Sequence, residues 1–236
     1  MALPIQAAPK HRCILPSNGK EIEYRPFLVK EQRNLLLIKE DSDDATTVEG
    51  IINLLEQVVY TELNYRDLPT YDVEYLFLKV RSKSVGETVT IQAPCQVNSE
   101  HAPIPVKVNL DSVIVDNLSD TVNPKIMLTS TMGVVMKHPT VGDASKLSLG
   151  DNDEIDTLNM LSKCIVQVFT ETEVFEMTET PDSEIKEFVD SLTFPQIELV
   201  SEFFEKMPVL RTTVDYKCPS CENAQTLVLE GIQSFF

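Results

Sequence analysis

At 236 residues, 42% of them hydrophobic, the chain is long enough to bury a core without cross-links, as one large domain or two small ones. Its 37 acidic residues against 20 basic ones leave a formal charge of −17, and Lys and Arg are not clustered, which argues against nucleic acid and anionic lipid as partners and leaves a basic protein partner or simple solubility. No apolar run reaches the roughly 18 residues of a membrane span, and Met1-Ala2-Leu3-Pro4 begins no signal peptide, so a cytosolic protein with reduced cysteines is expected.

Pro4 and Pro9 make residues 1–11 an irregular arm. Cys13 to Pro16 and Lys20 to Pro26 flank Ser17-Asn18-Gly19, and Asn-Gly is a strong hairpin signal. An apolar helical segment from Leu35 to Ile38 ends in the acidic run Asp41 to Asp44. A second helix, with Val48, Ile51, Ile52, Leu55, Val58 and Val59 on one face, is expected to run back along the first. Asn64 to Pro69 is a turn. Thr70 then caps a helix whose Val73, Leu76, Phe77 and Val80 form one apolar stripe, while Tyr71, Tyr75 and Leu78 lie off it. A helix with apolar bulk on several sides must be covered on several sides, so the chain is expected to be organised around this one.

Gly86 ends that helix. Glu87 to Ala93 alternates with period two and runs up to Cys95, and Ile104 to Leu110 returns, with Pro105 favouring a sheet edge. Residues 111–150 read as β-like, through Ser112 to Val115, Lys125 to Thr131 and Val134 to Met136, with Gly133 as a turn. From Asp151, with Glu154 at the third helical position, a helix is expected to carry Ile155, Leu158, Leu161, Ile165 and Val168 on one face. Val174 to Met177 is a short extended piece. Thr180-Pro181 opens a helix with Ile185, Phe188, Val189 and Leu192, and Thr193 with Gln196 forms a capping box for the next, carrying Ile197 to Met207. Leu210 to Tyr216 and Gln225 to Glu230 close a last hairpin around Cys218-Pro219-Ser220-Cys221.

The expected class is α+β, with helices packed on antiparallel β-hairpins and the two cysteine hairpins meeting as a degenerate zinc-ribbon-like pair. One domain over 1–236 is expected, with 12–110, 111–150 and 151–236 as the alternative division. Cys218-x-x-Cys221 has the spacing by which a knuckle aims two thiolates at one zinc, leaving two tetrahedral positions for other ligands. Cys95 and His101 are the nearest candidates, and Cys13 or His11 could reach the site if the first hairpin packs nearby. The expectation is no cofactor, with the cysteines packed as small hydrophobes. A structural zinc on Cys95, His101, Cys218 and Cys221 is the alternative. A redox role is disfavoured, because the pair sits at a hairpin tip and not at a helix N-terminus.

Cys164 reads as core and His138 as part of a solvated turn. Phosphate-loop, dinucleotide, serine-hydrolase and zincin motifs are absent, and the acidic clusters lack the spacing of a calcium loop. No enzyme is expected. The apolar end, Gly231-Ile232-Gln233-Ser234-Phe235-Phe236, either tucks into the core or docks on a partner.

Ile22 to Leu28, Leu68 to Arg81, Ser84-Val85-Gly86-Glu87 and Gly231 to Phe236 together resemble the baseplate hub assembly proteins of T4-like contractile-tailed bacteriophages. The likeness is strongest over residues 20–95 and at the C-terminus, and 111–180 fits by layout. It implies a non-enzymatic late protein, a chaperone of hub assembly or a virion subunit of the tail baseplate. The implied partners are other hub proteins or the tape-measure protein, with a homo-oligomer compatible with baseplate symmetry. Such a protein would act in the host cytoplasm during assembly, or stay in the virion. Cysteine pairs near both hairpins belong to this family pattern, and here the first is reduced to Cys95. Partner contacts are expected at Tyr71, Tyr75, Phe235 and Phe236. Deleting Ser234 to Phe236 is expected to leave the fold intact and abolish co-purification with those partners.

Overall fold

The helix foreseen after Pro69 runs from Thr70 to Val85 in the computed structural model, which describes residues 8–40, 44–118, 124–144 and 153–235. Leu76, Phe77 and Leu78 are all fully buried. Successive helical residues point about 100° apart, so burial of three in a row means the helix is wrapped.

The chain divides into two compact units, one formed by Met1–Leu63, Tyr71–Asp116 and Val209–Phe236, the other by Asn64–Thr70 and Asn117–Pro208. In the first unit, β1 (His11–Ile14) and β2 (Glu21–Tyr24) pair antiparallel, His11 opposite Tyr24, around a turn in which Gly19 takes φ +70°. Helices α1 (Val29–Glu40) and α2 (Asp44–Val58) follow and pack together. The helical segment thus starts earlier than Leu35. Glu31, 1% exposed, explains that start: its carboxylate accepts the Leu28 N–H at 2.6 Å and takes a bidentate contact from Arg25 at 3.1 and 3.2 Å. The rest of the acidic run before Asp44 lies outside the described residues.

The central helix is α3. One side packs its Phe77 ring 5.9 Å from Phe27, and another places Leu78 in a cluster with Val108, Leu110, Val113, Leu210, Leu229 and Phe235. Asp72, fully buried in its first turn, accepts the Ser17 N–H at 3.1 Å and the Ser17 hydroxyl, which ties the first hairpin turn to α3. Burial holds the Asp72 carboxyl above its usual value, against these two hydrogen bonds.

Strands β3 (Thr88–Ala93) and β4 (Ile104–Asn109) form a two-stranded hairpin with Pro105 opposite Gln92, and β5 spans Ile114–Asp116. In the second unit, β6 (Lys125–Met127), β7 (Met132–Met136), β8 (Ile165–Thr170) and β9 (Val174–Glu176) form an antiparallel sheet in that order. Between them lie α4 (Val141–Ala144) and α5 (Asp153–Cys164), and α6 (Asp182–Asp190) and α7 (Phe194–Glu205) follow.

Two expectations change here. Ile165 and Val168 lie on β8 and not on a helix: α5 stops at Cys164, and Ile165 to Thr170 pairs with β7 on one side and β9 on the other. Gly133 is not a turn but the second residue of β7, where a Cβ would come within 2.5 Å of the Phe169 ring and 2.6 Å of the Ile126 carbonyl. Its missing side chain lets that ring lie against the strand. The Thr193 box forms as foreseen, with the Thr193 N–H donating to Gln196 Oε1 at 2.9 Å. The expected Asp151 cap lies outside the described residues.

Strands β10 (Val209–Lys217) and β11 (Ala224–Glu230) complete the first unit as a sheet of order β11-β10-β5. Gly231, at φ +67°, turns the chain into a 3-10 segment, Ile232–Phe235, held on α3 by two side chains about two turns apart on one helical face. Arg81 donates to the Phe235 carbonyl at 2.6 Å, and Glu74 accepts the Ile232 N–H. Burial pushes the Glu74 carboxyl up to about 7 despite that hydrogen bond.

A raised folded-state carboxyl pKa means that the native protein binds more protons than the unfolded chain between the two values, so this group's contribution falls as pH rises. From the ordinary value of 4.5 to about 7, Glu74 therefore destabilises the fold progressively as it ionises. Glu74→Gln keeps an acceptor for Ile232 without the charge. It should be more stable than the parent by about 1–2 kcal/mol at pH 8, after discounting for partial exposure, and nearly equal to it at pH 5. Urea unfolding of both proteins at the two pH values checks this, and equal differences at both would refute it.

Candidate metal centre

Two hairpin tips supply the site. Strand β3 ends at Ala93, and Pro94 leads into the loop that carries Cys95 and His101 before β4. Strand β10 ends at Lys217, and Cys218 to Cys221 reverse the chain before β11. The knuckle is closed by Glu222 N–H to the Cys218 carbonyl at 2.9 Å and by Cys218 N–H to the Asn223 carbonyl at 3.2 Å, with Glu222 in the left-handed region at φ +58°.

The tips meet through named bonds. Tyr216 donates to the Pro94 carbonyl at 2.6 Å, Gln96 N–H to Gln225 Oε1 at 2.7 Å and the Gln96 amide to the Thr226 carbonyl at 2.9 Å. Ala93, Val106 and Tyr216 form a small apolar cluster beneath them. The ligand atoms of Cys95, His101, Cys218 and Cys221 consequently lie within 4.8 Å of one another.

Cys95 Sγ and Cys221 Sγ are 3.8 Å apart, too far for a disulfide, and His101 Nδ1 is 3.5 Å from Cys218 Sγ. Tetrahedral zinc, with Zn–S of about 2.3 Å and Zn–N of about 2.0–2.1 Å, requires S···S edges of about 3.8 Å and N···S edges of about 3.6 Å. The three sulfurs and one imidazole fit that ion in type, number and these two edges. If all four ligands bind, no coordination position is left for substrate or water, which is the arrangement of structural and not catalytic sites.

The electrostatics follow the contacts. The Cys95 thiol is lowered to about 5, chiefly by the side-chain hydrogen bond from Gln225, and the Cys218 thiol is lowered by the Cys221 backbone N–H. At Cys221 the Asn223 backbone N–H acts downward, but burial and the neighbouring sulfurs outweigh it and leave that thiol raised. His101 is raised by its contacts with Cys95 and Cys218.

His11 and Cys13, considered as further ligands, lie on β1 and outside this group. Burial pushes the Cys13 thiol up to about 11, and that of Cys164, a core residue of the second unit, up to about 12. His138 is not in a solvated turn: its ring lies 5.4 Å from that of Phe203, and burial lowers its pKa. Of the residues expected to contact partners, Tyr71 is 5% exposed and Phe235 1%, while Tyr75 is part-buried against the Leu78 cluster. Phe236 lies outside the described residues. Gln225, which touches both Cys95 and Cys221, carries no signal in the sequence, where it is one glutamine near the start of a strand.

Residues 8–236 match the family described as T4 bacteriophage base plate protein. The chain belongs to this family. No curated protein and no solved structure matches the chain. The family match agrees, at the level of a T4-like baseplate protein, with the resemblance carried by Leu68 to Arg81, and it also covers 111–180. No helix among the described residues is long and apolar enough to cross a membrane.

Proposed function

We propose that the chain is a non-enzymatic part of the baseplate hub, a retained subunit or an assembly chaperone, that works by being gripped by hub proteins or the tape-measure protein. The observation that carries this is the family match over residues 8–236. With all four ligands bound to zinc, the cysteine–histidine cluster would have no open position and would add no chemistry of its own. The protein acts in the host cytoplasm during assembly and, as a retained subunit, in the tail baseplate, where baseplate symmetry would arrange its copies. Tyr71, Tyr75 and Phe235, buried or part-buried, support from within the surface that partners grip. Co-expressing the tagged chain with candidate hub proteins and the tape-measure protein tests this. One of them should co-purify with it. Retention of none, together with absence of the chain from purified tails, would overturn the proposal, as would turnover of a substrate.

A second reading is favoured by the tetrahedral edge lengths at the hairpin tips: the two cysteine hairpins form a zinc-ribbon-type binding module. Zinc bound there would lock the two tips together and supply no reactive position. Protein purified without chelator should then carry about one zinc per chain.

A further inference from the structure

Behind the four ligands sits Gln225, 8% exposed, opposite Tyr216 in the β10–β11 register. Its amide has only one sensible orientation. The Gln96 backbone N–H, 2.7 Å from Oε1, can only donate, so that atom is the carbonyl oxygen. The Tyr216 hydroxyl lies 3.0 Å from the same oxygen and 2.6 Å from the Pro94 carbonyl. The NH2 end must therefore face the sulfurs, at 3.4 Å from Cys95 Sγ and 4.0 Å from Cys221 Sγ. A buried amide N–H must find an acceptor, and here the Cys95 sulfur is the nearest one it faces. Gln225 thus touches the Cys95 sulfur and at the same time fixes the backbone next to it.

We infer that Gln225 is a positioning residue of the zinc centre, orienting the Cys95 sulfur through its N–H while its carbonyl pins the Gln96 backbone. The inference rests on the zinc reading above. Cys95 has no cysteine partner on its own hairpin, so the support it lacks from its own strand comes from the facing one. Partners of this kind behind the ligands typically change metal affinity 10–100-fold.

Gln225→Met keeps the length and packing of the side chain without the N–H, and Gln225→Asn keeps the amide but withdraws it by one methylene. Zinc affinity is read by competition with a chromophoric chelator, and ligand electronics by the thiolate-to-cobalt charge-transfer band of the Co²⁺-loaded protein. Both variants should bind one metal about 10–100-fold more weakly than the parent, with a shifted charge-transfer band that a purely structural change would not produce. Circular dichroism identifies a variant that fails to fold, in which case the other decides. Parent-like affinity and an unshifted band in a folded variant would overturn the role of Gln225 while leaving the zinc reading in place. If the parent itself takes up neither zinc nor Co²⁺, the zinc reading fails and this inference with it.

Discussion

Cys218→Ser is expected to release the metal and to destabilise the first unit by about 3–5 kcal/mol, the loss typical when a long-range staple is removed. Zinc on the tetrad would join Cys95 to Cys221 across 126 positions of chain, and a cross-link that closes so long a loop restricts the unfolded chain strongly. Mass action gives a similar size, because an ion present at about 1,000 times its dissociation constant stabilises the folded state by about 4 kcal/mol. Two measurements check this: zinc content, and urea unfolding with and without a strong chelator. Hydrogen exchange should show the loss first in β3, β4, β10 and β11, the strands that carry the ligands. Cys13→Ser, on β1 and outside the tetrad, should keep its zinc. A Cys218→Ser protein that still holds one zinc, or a parent indifferent to the chelator, would defeat the expectation.

What the sequence reveals and what it hides divide on the range of the deciding contact. The capping box at Thr193, the Asn-Gly turn and the several-sided apolar surface of α3 rest on residues a few positions apart, and all three form. Leu158, Leu161, Ile165 and Val168 recur at helical spacing, yet β7 and β9 recruit the last two into β8. Gly133 looks like punctuation until Phe169, far along the chain, is seen to need the space. The knuckle Cys218-x-x-Cys221 is legible as a ligand pair because its spacing is local. The other half, Cys95 with His101, matches no common spacing, and it becomes a ligand pair only because Tyr216, Gln96 and Gln225 bring the two tips together. The sequence leaves the metal-free ribbon and a zinc on Cys95, His101, Cys218 and Cys221 both open, and the fold brings those four donors together.

Phe235→Ala is expected to destabilise the protein by about 3–5 kcal/mol, the usual penalty for emptying a buried phenylalanine site. The ring is 1% exposed and packs with Leu78, Leu110, Val113, Leu210 and Leu229, so it joins α3, the β4 end of the central hairpin and the β10–β11 sheet in one cluster. Deleting Ser234 to Phe236 should be at least as severe, because it also removes the carbonyl that Arg81 engages at 2.6 Å and the Ser234 hydroxyl that donates to the Glu230 carbonyl at 2.6 Å. The truncation was expected from sequence to spare the fold, since an aromatic end reads equally as a free docking element. Burial of Phe235 changes that expectation: loss of partner binding in the truncated protein would follow from a weakened scaffold as readily as from a missing contact. Phe236→Ala separates the two. Its thermal midpoint is read beside that of Phe235→Ala, which should fall by about 4–8 °C per kcal/mol for a small domain and less for a larger one. Co-purification lost in Phe236→Ala at unchanged stability would place recognition in the last residue, and a Phe235→Ala midpoint equal to the parent's would show that the ring is not the core anchor its burial implies.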